Sequence, residues 1–294
     1  MEAETILTEA VDAYRAALGE RLLAAYALGS LAHGGFSPLV SDVDLGLIID
    51  DPVQPGDADT IQAVANGERA KGSPLAERLS VFWGTPATLR GDHEGGRFPP
   101  LDRLDLIENG RLLTGADARS DLVRPGRSEL LVAGAQFALD VLAGGPHRHA
   151  PVTADLGSIR PATEDAVNEI CHPELLVARG LRRMTKLVLF PVRFMFTAAT
   201  GGVGTNDDAV AWYLAHDDAP ARPLVGAALA WRAAPPANDT VAVALLSELI
   251  ALYLHYIDDH VSRLTAAGRP ELARGFEHWR SRLQTAAGRP TPVQ

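Results

Sequence analysis

A chain of 294 residues has room for one large domain or two of ordinary size. Apolar residues make up 47% and charged residues 22%, a globular balance with enough hydrocarbon for a sizeable core. The formal charge of −10 argues against broad nucleic-acid binding, which needs a basic surface to neutralise phosphates, but tolerates cationic small molecules.

The first residues, MEAETILTEAVDAYR, are acidic and amphipathic and lack the basic and apolar blocks of a signal peptide, so no leader is expected. Over residues 3–20, Ile6, Leu7, Val11, Tyr14 and Leu18 fall near one helical stripe. LLAAYAL (22–28) reads as a short buried strand ending at Gly29, and a loop with Gly34, Gly35 and Pro38 follows. VDLGLII (43–49) reads as a second strand, stopped by Asp50-Asp51-Pro52. A helix over 57–70 and a third strand over 78–83 come next. In LDLIENGRLL, Asn109-Gly110 lies between two apolar runs and suits the two-residue turn of a hairpin, where both positions need positive φ. Gly115, Pro125 and Gly126 then punctuate the chain. Beyond Ser128 the pattern turns helical, over 129–142, 173–200, 207–215 and 240–267. These elements predict an α+β protein, a small mixed-sheet domain over 1–118 followed by an all-α domain over 128–294. No stretch reads as the roughly 20 apolar residues of a membrane span, since the run over 186–199 is interrupted by Pro191 and Arg193. The single cysteine, Cys171, excludes an intramolecular disulfide and a cysteine-built zinc site, and fits a reduced, cytoplasmic setting.

The chemistry concentrates in ALGSLAHGGFSPLVSDVDLGLII, residues 27–49. Gly29-Ser30 follows a buried strand directly, where glycine lets the backbone approach a ligand and a serine hydroxyl beside a helix start suits phosphate. Asp42 and Asp44 are two apart on a strand, so alternation puts both carboxylates on one face while Val43 and Leu45 turn to the core. Two such carboxylates repel unless a cation sits between them, and Mg²⁺ binds through one or two carboxylates plus substrate phosphates. Trp83, Trp212 and Tyr213 could stack on a sugar or base, although large aromatics at such spacing are more often core. His147 and His149 form a loop pair without a third metal ligand in view.

The G-S and D-x-D pair resembles the signature of the DNA polymerase β-like nucleotidyltransferase superfamily. FPPLDRL (98–104) and TKLVLFPVRFMFTAATGGVGTNDDAVAWYL (185–214) further resemble the streptomycin/spectinomycin adenylyltransferases. The resemblance implies Mg²⁺-dependent transfer of a nucleoside monophosphate from a nucleoside triphosphate, ATP, to a hydroxyl of a small polar acceptor such as an aminoglycoside. It implies that Gly29, Ser30 and Ser41 contact the nucleotide and that Asp42 and Asp44 hold the metal. Arg193, with Lys186 as a second candidate, would reach a phosphate. Independently of the family, an arginine within LVLFPVRFMF needs a partner if buried. Neither nucleic acid nor membrane is an expected partner, and the oligomeric state stays open.

Two positions depart from the family pattern. The third acidic residue, a general base on the third strand, is matched by Ser80; Glu77 and Asp105 are the alternative carboxylates, with Asp102 behind them. The lysine expected after Thr200-Gly201 is replaced by Asn206. A second reading therefore stands beside the first, a catalytically impaired nucleotide-binding regulator or antitoxin-like protein on the same fold.

Overall fold

The computed structural model describes residues 2–91, 95–143 and 164–288, so the His147 and His149 loop lies outside the described residues. The chain divides into two compact units between Pro125 and Gly126.

The first unit is built on a four-stranded sheet of order β3-β2-β1-β4. Strand β1 (Leu22–Leu28) runs antiparallel to both β2 (Val43–Ile49) and β4 (Arg111–Gly115). Strand β3 (Leu79–Gly84) joins β2 in parallel, which makes the sheet mixed. The two central strands are dominated by apolar residues because both their faces are covered, Asp44 near the start of β2 being the polar exception. On one face, Ala25, Ala27, Val43, Leu45, Leu47 and Val81 pack with residues of α1 (Glu2–Leu18) and α3 (Asp57–Arg69). Tyr14, fully buried there, donates its hydroxyl to the Ile61 carbonyl at 3.0 Å. On the other face, Tyr26, Leu28 and Ile48 meet Leu89 of α4 (Pro86–Arg90) and Leu106 of α5 (Pro100–Asn109). A four-residue helix, α2 (Ser30–His33), follows β1.

The expected hairpin at Asn109-Gly110 does not form; its first arm is α5. Pro100 occupies the first turn, where its missing N–H costs nothing. Leu104 and Leu106 are fully buried along the helix, and Gly110 closes it by donating to the carbonyls of Asp105 and Leu106. Gly110 has φ −47°, so the positive-φ turn that the dipeptide suggests is not used.

The second unit is helical. Its elements are α6 (Arg127–Val141), α7 (Glu164–Cys171), α8 (Pro173–Ala178), α9 (Leu181–Thr200) and α10 (Asn206–Leu214), then α11 (Arg222–Ala230), α12 (Asp239–Leu246), α13 (Leu249–Ala266) and α14 (Pro270–Ala287). Two stretches expected as single helices are each divided. Gly180, at φ +89°, separates α8 from α9, and Ser247-Glu248 separates α12 from α13. Helix α9 runs straight through Pro191, which leaves the Leu187 carbonyl without its helical donor. The buried hydroxyl of Tyr253 supplies that hydrogen bond at 2.9 Å, so the proline is tolerated because α13 completes it. Within Asp239–Ala266 an 18-residue window reaches a mean hydropathy of 1.7, so the segment is long and apolar enough to cross a membrane by length and composition alone, which the sequence reading did not anticipate. Leu252, Tyr253, Tyr256 and Ile257 are fully buried within the helical unit, and the tyrosine rings pack against Trp279 of α14, so burial accounts for much of that apolarity.

Candidate active site

The candidate site lies where the end of β1 runs beside the start of β2. Val43, Leu45 and Leu47 commit one face of β2 to the core, so Asp44 takes the opposite face. Asp42 lies one residue before the strand, and both carboxylates are half-buried. Further along the face of Asp44 there is no room for a side chain. A Cβ at Gly46 would come within 3.0 Å of Leu28 Cδ1 and 3.2 Å of Phe98 Cζ. Phe98, from the FPPLDRL segment, thus closes the inner end of that face and leaves Asp44 at its outer end.

Gly29 is fixed by close approach. It has φ +58° and ψ −147°, caps α2, and a Cβ there would stand 2.4 Å from Asp44 Oδ2. Only glycine fits this backbone region without strain. Its carbonyl accepts from the Ala32 and His33 amides, forming the short turn that Ser30 opens. Ser30 is half-buried at the start of that turn.

Asp105 proves to be a clamp on this turn. It projects from α5 rather than from a strand, is 8% exposed, and its Oδ2 accepts the Gly29 amide at 2.6 Å. Its Oδ1 accepts from Asn109 Nδ2 at 2.9 Å. With both oxygens engaged, Asp105 is better placed to hold the turn than to collect a proton. Asp105→Asn keeps an acceptor for the Gly29 amide and is expected to lower turnover by less than about tenfold, whereas loss of a general base costs roughly 10²–10⁴-fold. Asp105→Ala orphans that amide and is expected to cost about 1–3 kcal/mol in denaturant unfolding.

Ser80 pairs with Asp44 across the parallel β2–β3 ladder, in the register the third carboxylate would need, and it is buried. Glu77 lies outside β3, exposed in a single 3-10 turn, and the ladder shows no slip that would carry it to the Asp44 level. Asp102 sits in the first turn of α5. Ser41 is buried, and its hydroxyl accepts the Ser37 amide at 3.0 Å, which braces the loop ahead of Asp42. Arg78 donates to the carbonyls of Pro38 and Ser41, tying that loop to the start of β3.

Among the described residues no group of three or more His, Cys, Asp or Glu could hold a metal ion. Asp42 and Asp44 alone offer two hard oxygen donors. That set fits Mg²⁺, which usually keeps several waters and takes phosphate oxygens beside one or two carboxylates.

In the helical unit, Lys186 and Arg193 stand seven apart on α9, hence on one face. The Lys186 ammonium lies 6.0 Å from the Phe190 ring centroid. Arg193 Nε donates to the Gly204 carbonyl in the loop after Thr200-Gly201, so part of its guanidinium is structural. Burial first, and then the positive charge of Arg193, hold Arg232 below the ordinary arginine range, with Asp207 opposing. The sequence reading missed this second cation beside Arg193, because nothing local links position 232 to 193. Trp83 and Tyr213 are buried as core residues, while Trp212 is half-buried.

No family model matches the chain, and no curated protein matches it significantly. Among solved structures it is similar to the spectinomycin adenyltransferase AAD(9) from Enterococcus faecialis, crystallised with ATP and spectinomycin, at a TM-score of 0.52 and 12% identity. The match covers 84% of this chain and 98% of that one. At that identity the likeness concerns the fold, an α+β nucleotidyltransferase fold with a helical C-terminal region.

Proposed function

We propose that this protein transfers a nucleoside monophosphate from ATP to a hydroxyl of a small polar, aminoglycoside-like acceptor, in the cytoplasm and with Mg²⁺. The observation that carries the reading is the packing of Gly29 against Asp44 at the joint end of β1 and β2, with Asp42 beside it. A glycine pressed onto a carboxylate serves a site, because a plain turn has no need of that contact. The solved structure of similar fold binds ATP and spectinomycin, which supports the choice of nucleotide and acceptor class.

In this reading Asp42 and Asp44 would hold Mg²⁺, which supplies charge neutralisation at the reacting phosphate. Asp105 and Gly29 fix the turn that carries Ser30, so the serine hydroxyl and the α2 start present donors to the polyphosphate in one geometry. In the helical unit, Lys186 and Arg193 would be the phosphate-binding cations, and Arg232 adds a further positive charge near Arg193. The acceptor oxygen forms a bond to the α-phosphorus, the bond to pyrophosphate breaks, and the acceptor proton passes to solvent.

Ser80 favours the second reading, a nucleotide-binding regulator of antitoxin-like kind. A serine beside Asp44 cannot act as a carboxylate base, so transfer runs on positioning and electrostatics alone. Mg²⁺-dependent pyrophosphate release across a panel of hydroxyl acceptors separates the two. Ser80→Glu is expected to raise a low turnover by at least about tenfold, toward the roughly 10²–10⁴ of a general base. Pyrophosphate release that stays absent in parent and variant with every acceptor leaves the binding reading.

A further inference from the structure

The helical unit carries a recess of about 190 Å³ between Met195 of α9, α10, the turn after it and α13. It is smaller than the roughly 300–1,000 Å³ of pockets for drug-sized ligands and so suits a compact one. Its walls are aromatic and acidic. Trp212 and His216 lie edge to face with centroids 4.6 Å apart, and Tyr213 faces His255 at 6.1 Å. His216 Nδ1 lies 2.8 Å from the Trp212 carbonyl. A carbonyl only accepts, so Nδ1 carries the hydrogen in this contact.

The charges point the same way. Asp218 and Asp259 line the recess against one cation, Arg263. Arg263 Nε is spent on both Asp259 oxygens, at 2.9 and 2.8 Å. Asp218 is exposed and has no hydrogen bond or ion pair among the described residues. Tryptophan and tyrosine faces attract cations, and a carboxylate beside them adds to that attraction.

We propose that this recess binds a small organic ammonium ion, held against Trp212 with its charge toward Asp218. The inference does not depend on nucleotidyl transfer, because the site involves neither the nucleotide nor a metal.

The test uses the full chain and tetramethylammonium chloride, with sodium chloride at equal ionic strength and the neutral isostere tert-butanol as controls, followed by ligand-observed NMR in the presence of a chelator. Saturable tetramethylammonium binding, not matched by tert-butanol, is expected. Trp212→Leu should weaken it by about 2–30-fold, the range of cation–π contributions. Asp218→Asn, at an exposed position that leaves folding intact, should weaken it by at least about twofold. No saturable binding in the parent, tert-butanol binding as tightly, or unchanged affinity in both variants would overturn the proposal, whatever the result for pyrophosphate release.

Discussion

Asp44→Asn is expected to lower Mg²⁺-dependent turnover by roughly 10²–10⁴-fold, the kinetic equivalent of the several kcal/mol that a bound metal contributes to a transition state. The substitution keeps the shape of the side chain and one acceptor oxygen. Asp44 is half-buried at the start of β2, so the near-isosteric change is expected to alter stability little. The expected signature is therefore a split: a melting temperature close to the parent's with chelator, and a smaller rise in melting temperature when Mg²⁺ and ATP are added, since ligand binding to the native state is what raises it. Asp42→Asn should behave in the same way. A variant that unfolds more easily, with turnover within about tenfold of the parent, would mean that Asp44 serves packing and not the reaction.

Gly29→Ala is expected to damage both fold and activity. The backbone at φ +58° and ψ −147° strains any residue with a Cβ, at about 1–3 kcal/mol. The added carbon would also stand 2.4 Å from Asp44 Oδ2, and relieving that overlap by moving the carboxylate adds a cost of the order of overpacking, about 1–3 kcal/mol. Unfolding in denaturant should show a combined loss of about 2–6 kcal/mol. Turnover should fall by at least roughly 10²-fold in the molecules still folded, as expected when a catalytic group is displaced by about 1 Å. Gly34 provides the control: it too has positive φ, +93°, but a Cβ there meets nothing within 4 Å. Gly34→Ala should lose stability through strain alone and keep its activity. Equal loss of activity in the two variants would remove Asp44 from the explanation.

The sequence discloses this architecture unevenly, for physical reasons. The two central strands could be read to the residue, because apolar runs buried on both faces are bounded by Gly29 on one side and by Asp50 on the other. Gly29 and Asp44 were legible as positions for the same reason, since strand alternation and a glycine turn are local properties, whereas Asp42 was expected on the strand and lies one residue before it. Helix α5 was hidden by the Asn109-Gly110 dipeptide, whose hairpin preference holds only when strands flank it, and Pro100 is compatible with either reading. The divisions at Gly180 and Ser247-Glu248 come from chain packing that periodicity alone does not report. The clamp from Asp105 to Gly29 joins residues 76 positions apart, so no local pattern encodes it. Ser80 was legible only as the match to the family's third acidic position on the third strand; its pairing with Asp44 is set by the parallel register.

Calorimetric titration of the full chain with ATP tests the central claim most directly. Binding is expected in the presence of Mg²⁺, with affinity lost on adding chelator and weakened at least about tenfold in Asp42→Asn, because two carboxylates beside a polyphosphate need an intervening cation. Equal ATP affinity with Mg²⁺ and with chelator, unchanged in Asp42→Asn, would contradict the assignment of the Gly29–Asp44 corner as a metal-nucleotide site.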